Sequence, residues 1–230
     1  MAMQKQTTER RQRIALWWRW TLATAAGELV GFAVPALIGV LAAMFSLSDR
    51  VRLVPLVLAG MGEGAILGLA QWLALRSILP KVAGRSWVGV TTLAAGLAWT
   101  IGLVPSTFAD LQALSVPLRV TTFAMLGVVF LLSIGGAQWL ILRRLIPRAG
   151  WWIPANAIAW PLGVAVPVLG LSLLPDTASV GTMLGIGIGC GMLMGLVVGA
   201  ITGVVLLALL HDRPGTEPHT HTGPLPIGMQ

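Results

Sequence analysis

Six apolar stretches, each long enough or nearly long enough to cross a lipid bilayer, constrain this chain more than any other feature of its sequence. A hydrocarbon core of about 30 Å needs about 20 apolar residues in an α-helix. The stretches run from about Trp18 to Met44, Val54 to Leu79, Trp87 to Pro105, Val120 to Ile146, Trp151 to Leu174 and Val180 to Leu210. Charged residues are 10% of the 230, against about 25% in an average soluble domain, too few to cover a soluble surface with ionic groups. With 56% hydrophobic residues and the single cysteine Cys190, the chain is neither disordered nor a disulfide scaffold, and it does not read as an ordinary cytosolic enzyme. The expected fold class is an all-α membrane protein of six transmembrane helices.

Charge sets the orientation. Lys5, Arg10, Arg11, Arg13 and Arg19 precede or open the first span. Arg76, Lys81 and Arg85 follow the second, and Arg143, Arg144 and Arg148 follow the fourth. With Arg213 in the tail, 12 basic residues fall on one side of the membrane, and the opposite loops hold three, Arg50, Arg52 and Arg119. Because basic loops stay cytoplasmic, this alternation predicts both termini on the cytoplasmic side. Trp17, Trp18, Trp20, Trp87, Trp151 and Trp152 fall at the same boundary, where indoles anchor helices. The net charge of +7 is thus orientation charge, spread along the chain with no nucleic-acid motif, and no nucleic-acid partner is expected.

Three segments follow. Residues 1–16 form a basic cytoplasmic N-terminal segment, 17–210 the transmembrane domain and 211–230 a flexible cytoplasmic tail rich in Pro, Gly and Thr. The first apolar run is too long for a signal-peptide h-region and flows on without a convincing cleavage site, so it reads as a retained helix. His219 and His221 in the tail lack further nearby ligands, and no metal is expected there. The link from Ser106 to Arg119 is the longest between spans and has room for a short interfacial helix.

The sequence repeats. Gly68-x-x-Gln71-Trp72-x-x-Leu75-Arg76-x-x-x-Pro80 recurs as Gly135-x-x-Gln138-Trp139-x-x-Leu142-Arg143-x-x-x-Pro147, an offset of 67 residues. Gly60 matches Gly127, and Gly191 and Gly199 fall opposite Gly127 and Gly135, with Thr202 in place of the glutamine. In the odd spans, Trp20, Gly27 and Gly31 have the spacing of Trp152, Ala159 and Gly163, and Ala98 and Gly102 are expected to supply the second small pair. These matches predict three helical hairpins at about 17–80, 86–147 and 151–210. Each holds two spans, so the copies run parallel, unlike the inverted repeats of many transporters.

Lipid tails are as apolar as leucine, so membrane helices associate by close contact, which small residues permit. Gly60, Gly64 and Gly68 mark one face of the second span, and Gly187, Gly191, Gly195, Gly199 and Gly203 form a glycine zipper along the sixth. The simplest expected partner for each stripe is the other helix of its own hairpin.

Two acids lie inside spans. Intramembrane carboxylates cost several kcal/mol, which makes Glu28 and Glu63 candidates for a proton or cation pathway, beside the plainer role of bonding a neighbouring helix. At 1.5 Å per residue they lie about 15 and about 24 Å from the cytoplasmic edge, at different depths. Gln71, Trp72, Arg76, Gln138, Trp139 and Arg143 read as a repeated polar corner, with each arginine snorkelling to the headgroups. The second reading of this corner is a cytoplasmic vestibule for an anionic ligand or headgroup. No catalytic constellation, phosphate loop, cofactor motif or buried metal set is found, so enzymatic activity is not expected.

The repeated Gly-x-x-Gln-Trp-x-x-Leu-Arg, its proline, the tryptophan-rich start of the next span and the final glycine-rich helix resemble a group of uncharacterised bacterial polytopic membrane proteins. The resemblance spans most of 17–210 and implies fold and membrane location but no activity. Mitochondrial carriers also have six spans in three parallel hairpins, but their Pro-x-acid-x-x-base motif is missing here. The leading expectation is a non-catalytic accessory or assembly subunit, embedded in the bilayer and binding a membrane-protein partner or a second copy of itself through its glycine faces. The alternative is a small-solute or ion transporter or channel, proton-linked through Glu28 and Glu63.

Overall fold

A computed structural model describes residues 2–175 and 177–211. The tail from 212 onward, with Arg213, His219 and His221, lies outside the described residues. Helix dominates: α1 Ala2–Gly31, α2 Ala33–Met44, α3 Asp49–Leu75, α4 Gly84–Thr107, α5 Val116–Leu142, α6 Trp152–Ser172 and α7 Val180–His211. Counting α1 and α2 together, six helical segments are long and apolar enough to cross a membrane, and the chain is a multi-pass membrane protein. A 3₁₀ turn, Ala109–Ala113, occupies the long link, and another, Ala149–Trp151, leads into α6.

The first span is kinked rather than continuous. Helical bonding runs through Phe32 N–H to the Glu28 carbonyl at 2.8 Å and Ala36 N–H to the Phe32 carbonyl at 3.0 Å. Pro35 has no N–H to offer the Gly31 carbonyl, and its ring crowds that oxygen, so the helix breaks between Gly31 and Ala33. Pro55, Pro105, Pro161 and Pro167 lie inside α3, α4 and α6, which continue through them. The second and fourth spans end at Leu75 and Leu142, about one turn before the apolar run does. Leu79 and Ile146 lie in the turns that follow, yet both are buried.

Neighbours along the chain pack in sequence, α1 on α3, α3 on α4, α4 on α5, α5 on α6 and α6 on α7, and α7 closes back on α1. The most extensive contacts are α3 with α4 and α1 with α7. This corrects the expectation that each glycine stripe takes its hairpin partner. Gly195 faces Ala25 and Glu28 of α1, where an added methyl carbon would stand 2.7 Å from the Ala25 Cα. Gly191, Gly199 and Gly203 likewise meet Phe32, Thr21 and Trp17, and Gly60, Gly64 and Gly68 meet Trp99, Ala95 and Thr91 of α4. The notches Gly27, Gly31 and Gly163 take the expected direction, toward Leu67, Glu63 and Val198.

A second correction concerns the small pair of α4. Gly102 is exposed with open space around it, whereas Ala94 and Ala98 are buried. Gly68 meets Val88 and Thr91 as Gly199 meets Thr21 and Thr24. On that register Ala95 of α4 corresponds to Glu28 of α1.

Candidate functional site

The second half of α1 and the starts of α4 and α6 meet the last turns of α3, α5 and α7 toward the basic end of the bundle, around a buried polar hub. Gln138 Nε2 donates to Gln71 Oε1 at 3.0 Å and to Thr91 Oγ1 at 3.1 Å. Trp152 Nε1 donates to Gln138 Oε1 at 3.0 Å, Trp87 Nε1 to Gln71 Oε1 at 3.4 Å and Trp20 Nε1 to Thr202 Oγ1 at 2.9 Å. The three indoles also pack together, Trp152 lying 5.7 Å from Trp20 edge-on and 6.5 Å from Trp87. Tryptophan carries one donor and glutamine both donors and acceptors, so a ring of helices can join these groups without an orphan. The amides of Gln71 and Gln138 are buried and engaged with each other and with indoles, as a corner of the structure requires.

Around this hub the helices are closed off. The guanidinium of Arg76 lies over the Trp72 ring at 5.6 Å, and that of Arg143 over Trp139 at 4.9 Å. Arg19 donates to the Leu73 and Ala74 carbonyls at 3.2 and 2.8 Å, serving the oxygens that the end of α3 leaves unpaired. The tryptophans divide unexpectedly. Trp20, Trp87 and Trp152 are fully buried and are not interfacial anchors, whereas Trp18 and Trp151 are 48% and 66% exposed.

Toward the opposite end the helices part around a cavity of about 330 Å³, lined from α1, α3, α4, α5 and α6. It brings together the two intramembrane acids that depth counting had set apart. Glu28 is fully buried and Glu63 5% exposed, and both border this one space. The kinked first span explains the meeting, because Gly31 rests directly on the Glu63 backbone. Glu63 Oε2 accepts from Trp99 Nε1 at 2.8 Å. No N–H or O–H donor of another residue type reaches either oxygen of Glu28 among the described residues; the group that meets its carboxyl is the carboxyl of Glu63.

The rest of the wall is spoken for or apolar. Ser133 Oγ donates to the Phe130 carbonyl at 2.8 Å, and Trp160 Nε1 to Asn156 Oδ1 at 3.1 Å. No Lys, Arg or His lines the cavity. Such a site can accept a proton or a positively charged ligand. Two carboxyl groups are too few to hold a metal ion by themselves, and among the described residues no group of three or more His, Cys, Asp or Glu gathers.

Thr24, Thr91 and Asn156 were not singled out by sequence. Each is buried and stands four residues after a hub tryptophan, one helical turn on. That W-x-x-x-T/N spacing is the signal that marks them. Asn156 Nδ2 donates to the Trp152 carbonyl at 2.9 Å, while Thr21 and Thr24, on the α1 face that meets α7, have hydroxyls without partners among the described residues. Compared with known proteins, the chain matches no family model, and no curated protein or solved structure is similar to it.

Proposed function

We propose that this chain is a small membrane transporter whose working groups are Glu28 and Glu63, moving a proton or a proton-linked solute by way of the cavity they border. The observation that carries the reading is a pair of buried carboxyls, Glu28 and Glu63, that meet each other in the wall of a cavity. Carboxyls that cost several kcal/mol in a membrane interior are functional groups by default. Glu63, whose Oε2 accepts from the Trp99 indole, shares its remaining hydrogen-bonding capacity with Glu28 and the occupant. The reading involves no catalysis. An accessory role through the glycine faces has less support, since α1 and α4 fill those faces.

The same reading takes the chain as three hairpin copies joined by a glycine zipper, with both termini on the cytoplasmic side of a bacterial inner membrane. Its supports are the 12-to-3 division of basic residues and the cyclic donation of Trp87, Trp152 and Trp20 to Gln71, Gln138 and Thr202.

Proteoliposomes loaded with a pH-sensitive dye test it. The wild type should shift the internal pH when a proton or solute gradient is imposed, and Glu28→Gln and Glu63→Gln should abolish that shift while eluting as folded protein. Unchanged flux in both variants overturns the proposal.

A further inference from the structure

We propose that the cavity takes an organic cation, an ammonium or phosphonium centre carrying an apolar body; this rests on the reading of the cavity as a transport site and names its substrate class. Three independent features converge. The first is charge. The wall holds two carboxyl groups and no basic residue, so an occupant that completes the electrostatics brings the positive charge with it.

The second is the character of the remaining surface. Phe32, Trp99, Phe130 and Trp160 all border the space, and the Phe32 and Trp99 rings stand 6.5 Å apart. Aromatic faces attract organic cations, whose charge is diffuse and weakly hydrated. A small inorganic cation requires several oxygen ligands in place of its water, and the wall has only the carboxyls and one engaged serine to give. The third is size: a cavity of about 330 Å³ lies at the small end of the range that organic ligands occupy. Its rim includes Gly102, Val168 and Leu171, all exposed, so the space is reached from the flank of the bundle opposite the basic end.

Glu28 and Glu63 form the site's acidic pair, with Glu63 fixed by Trp99. An ammonium or phosphonium centre seated against this pair takes the place of a shared proton and lies beside the indoles, with its apolar body along the aliphatic part of the wall.

Titration calorimetry on the purified full-length protein in mild detergent tests this with tetraphenylphosphonium, tetrapropylammonium and the charge-reversed shape analogue tetraphenylborate. The wild type should bind at least one of the two cations saturably and the borate far more weakly. Glu28→Gln should weaken cation binding by about tenfold or more, and Glu9→Gln, outside the bundle core, should leave it unchanged. Leu171→Trp, which narrows the rim without touching either acid, should also weaken binding, and it separates loss of the site from misfolding in the acid variants. Equal binding of cation and borate overturns the charge assignment and leaves a merely apolar cavity. Saturable binding of neither cation overturns the substrate class, while Glu28-dependent proton flux in liposomes would still stand as a separate result. Loss of that flux with cation binding retained would instead overturn the transport reading and keep the ligand.

Discussion

The molecule contains two buried polar clusters that treat hydrogen bonding in opposite ways. At the basic end, Gln71, Gln138, Thr91, Trp87 and Trp152 form one hydrogen-bonded cluster, and the Trp20–Thr202 bond stands beside it. Toward the other end, Glu28 meets only another acid, Glu63, which receives one indole N–H. In lipid a helix has no hydrophobic drive toward its neighbour, so satisfied polar groups and close packing hold the bundle together. The first cluster follows that rule and the second departs from it. A bundle can carry such an acidic pair only where other contacts hold it closed, and here these are the hub and the glycine contacts of α7 with α1.

Breaking the hub should have the largest effect on stability. Gln138→Leu strands the Trp152 N–H and removes both bonds that Gln138 donates, at a cost of about 3 kcal/mol in a denaturant titration in detergent. A cost below about 1 kcal/mol, as membrane hydrogen bonds sometimes show, would mean that the hub specifies geometry more than it stabilises. Gly195→Ala comes next, at about 1–3 kcal/mol, because the new methyl meets the Ala25 backbone and not a movable side-chain tip. Its control is Gly185→Ala, where nothing lies within 4 Å and the better helix former should be neutral or stabilise by up to about 1 kcal/mol. Equal effects at the two glycines would show that helix propensity, not contact with α1, governs α7.

Thr202→Val tests the third arm of the hub. It removes the acceptor of the Trp20 N–H and should cost about 1 kcal/mol, measured by the same titration. The smallest effect, and the one of opposite sign, is expected at Glu28. Glu28→Met replaces a buried carboxyl that faces a second acid with an apolar group of similar length, and should leave stability unchanged or raise it by about 1 kcal/mol. A marked loss of stability there would show that the carboxyl makes a structural contact, and the contrast between the two clusters would fail.

Much of this was legible in the residues. The six spans follow from run length and hydropathy, and their ends differ from the structure by a few residues because Ile78-Leu79 and Leu145-Ile146 carry the apolar pattern past the arginines where the helices stop. The recurrence of Gln71 and Gln138 at one register pointed to a corner before any contact was visible. Trp20, Trp87 and Trp152 were misread as interfacial, because a tryptophan near a basic loop has the same sequence signature whether its ring turns to headgroups or inward. Thr91 and Asn156 escaped notice for a related reason: a lone threonine or asparagine in an apolar span signals burial only when the tryptophan one turn before it is known to be buried.

By itself the sequence determined that this chain is an all-helical, multi-pass bundle, because no other arrangement lets runs of about 20 apolar residues satisfy their backbones in lipid. It also contained the small residues that allow close approach. Only the tertiary structure decided which helix fills each notch, since a glycine face lacks a charge or shape code that names its partner. α7 takes α1, α3 takes α4, and Pro35 bends the first span against Glu63. That choice of neighbours turned two acids at separate depths of separate helices into the wall of a single cavity.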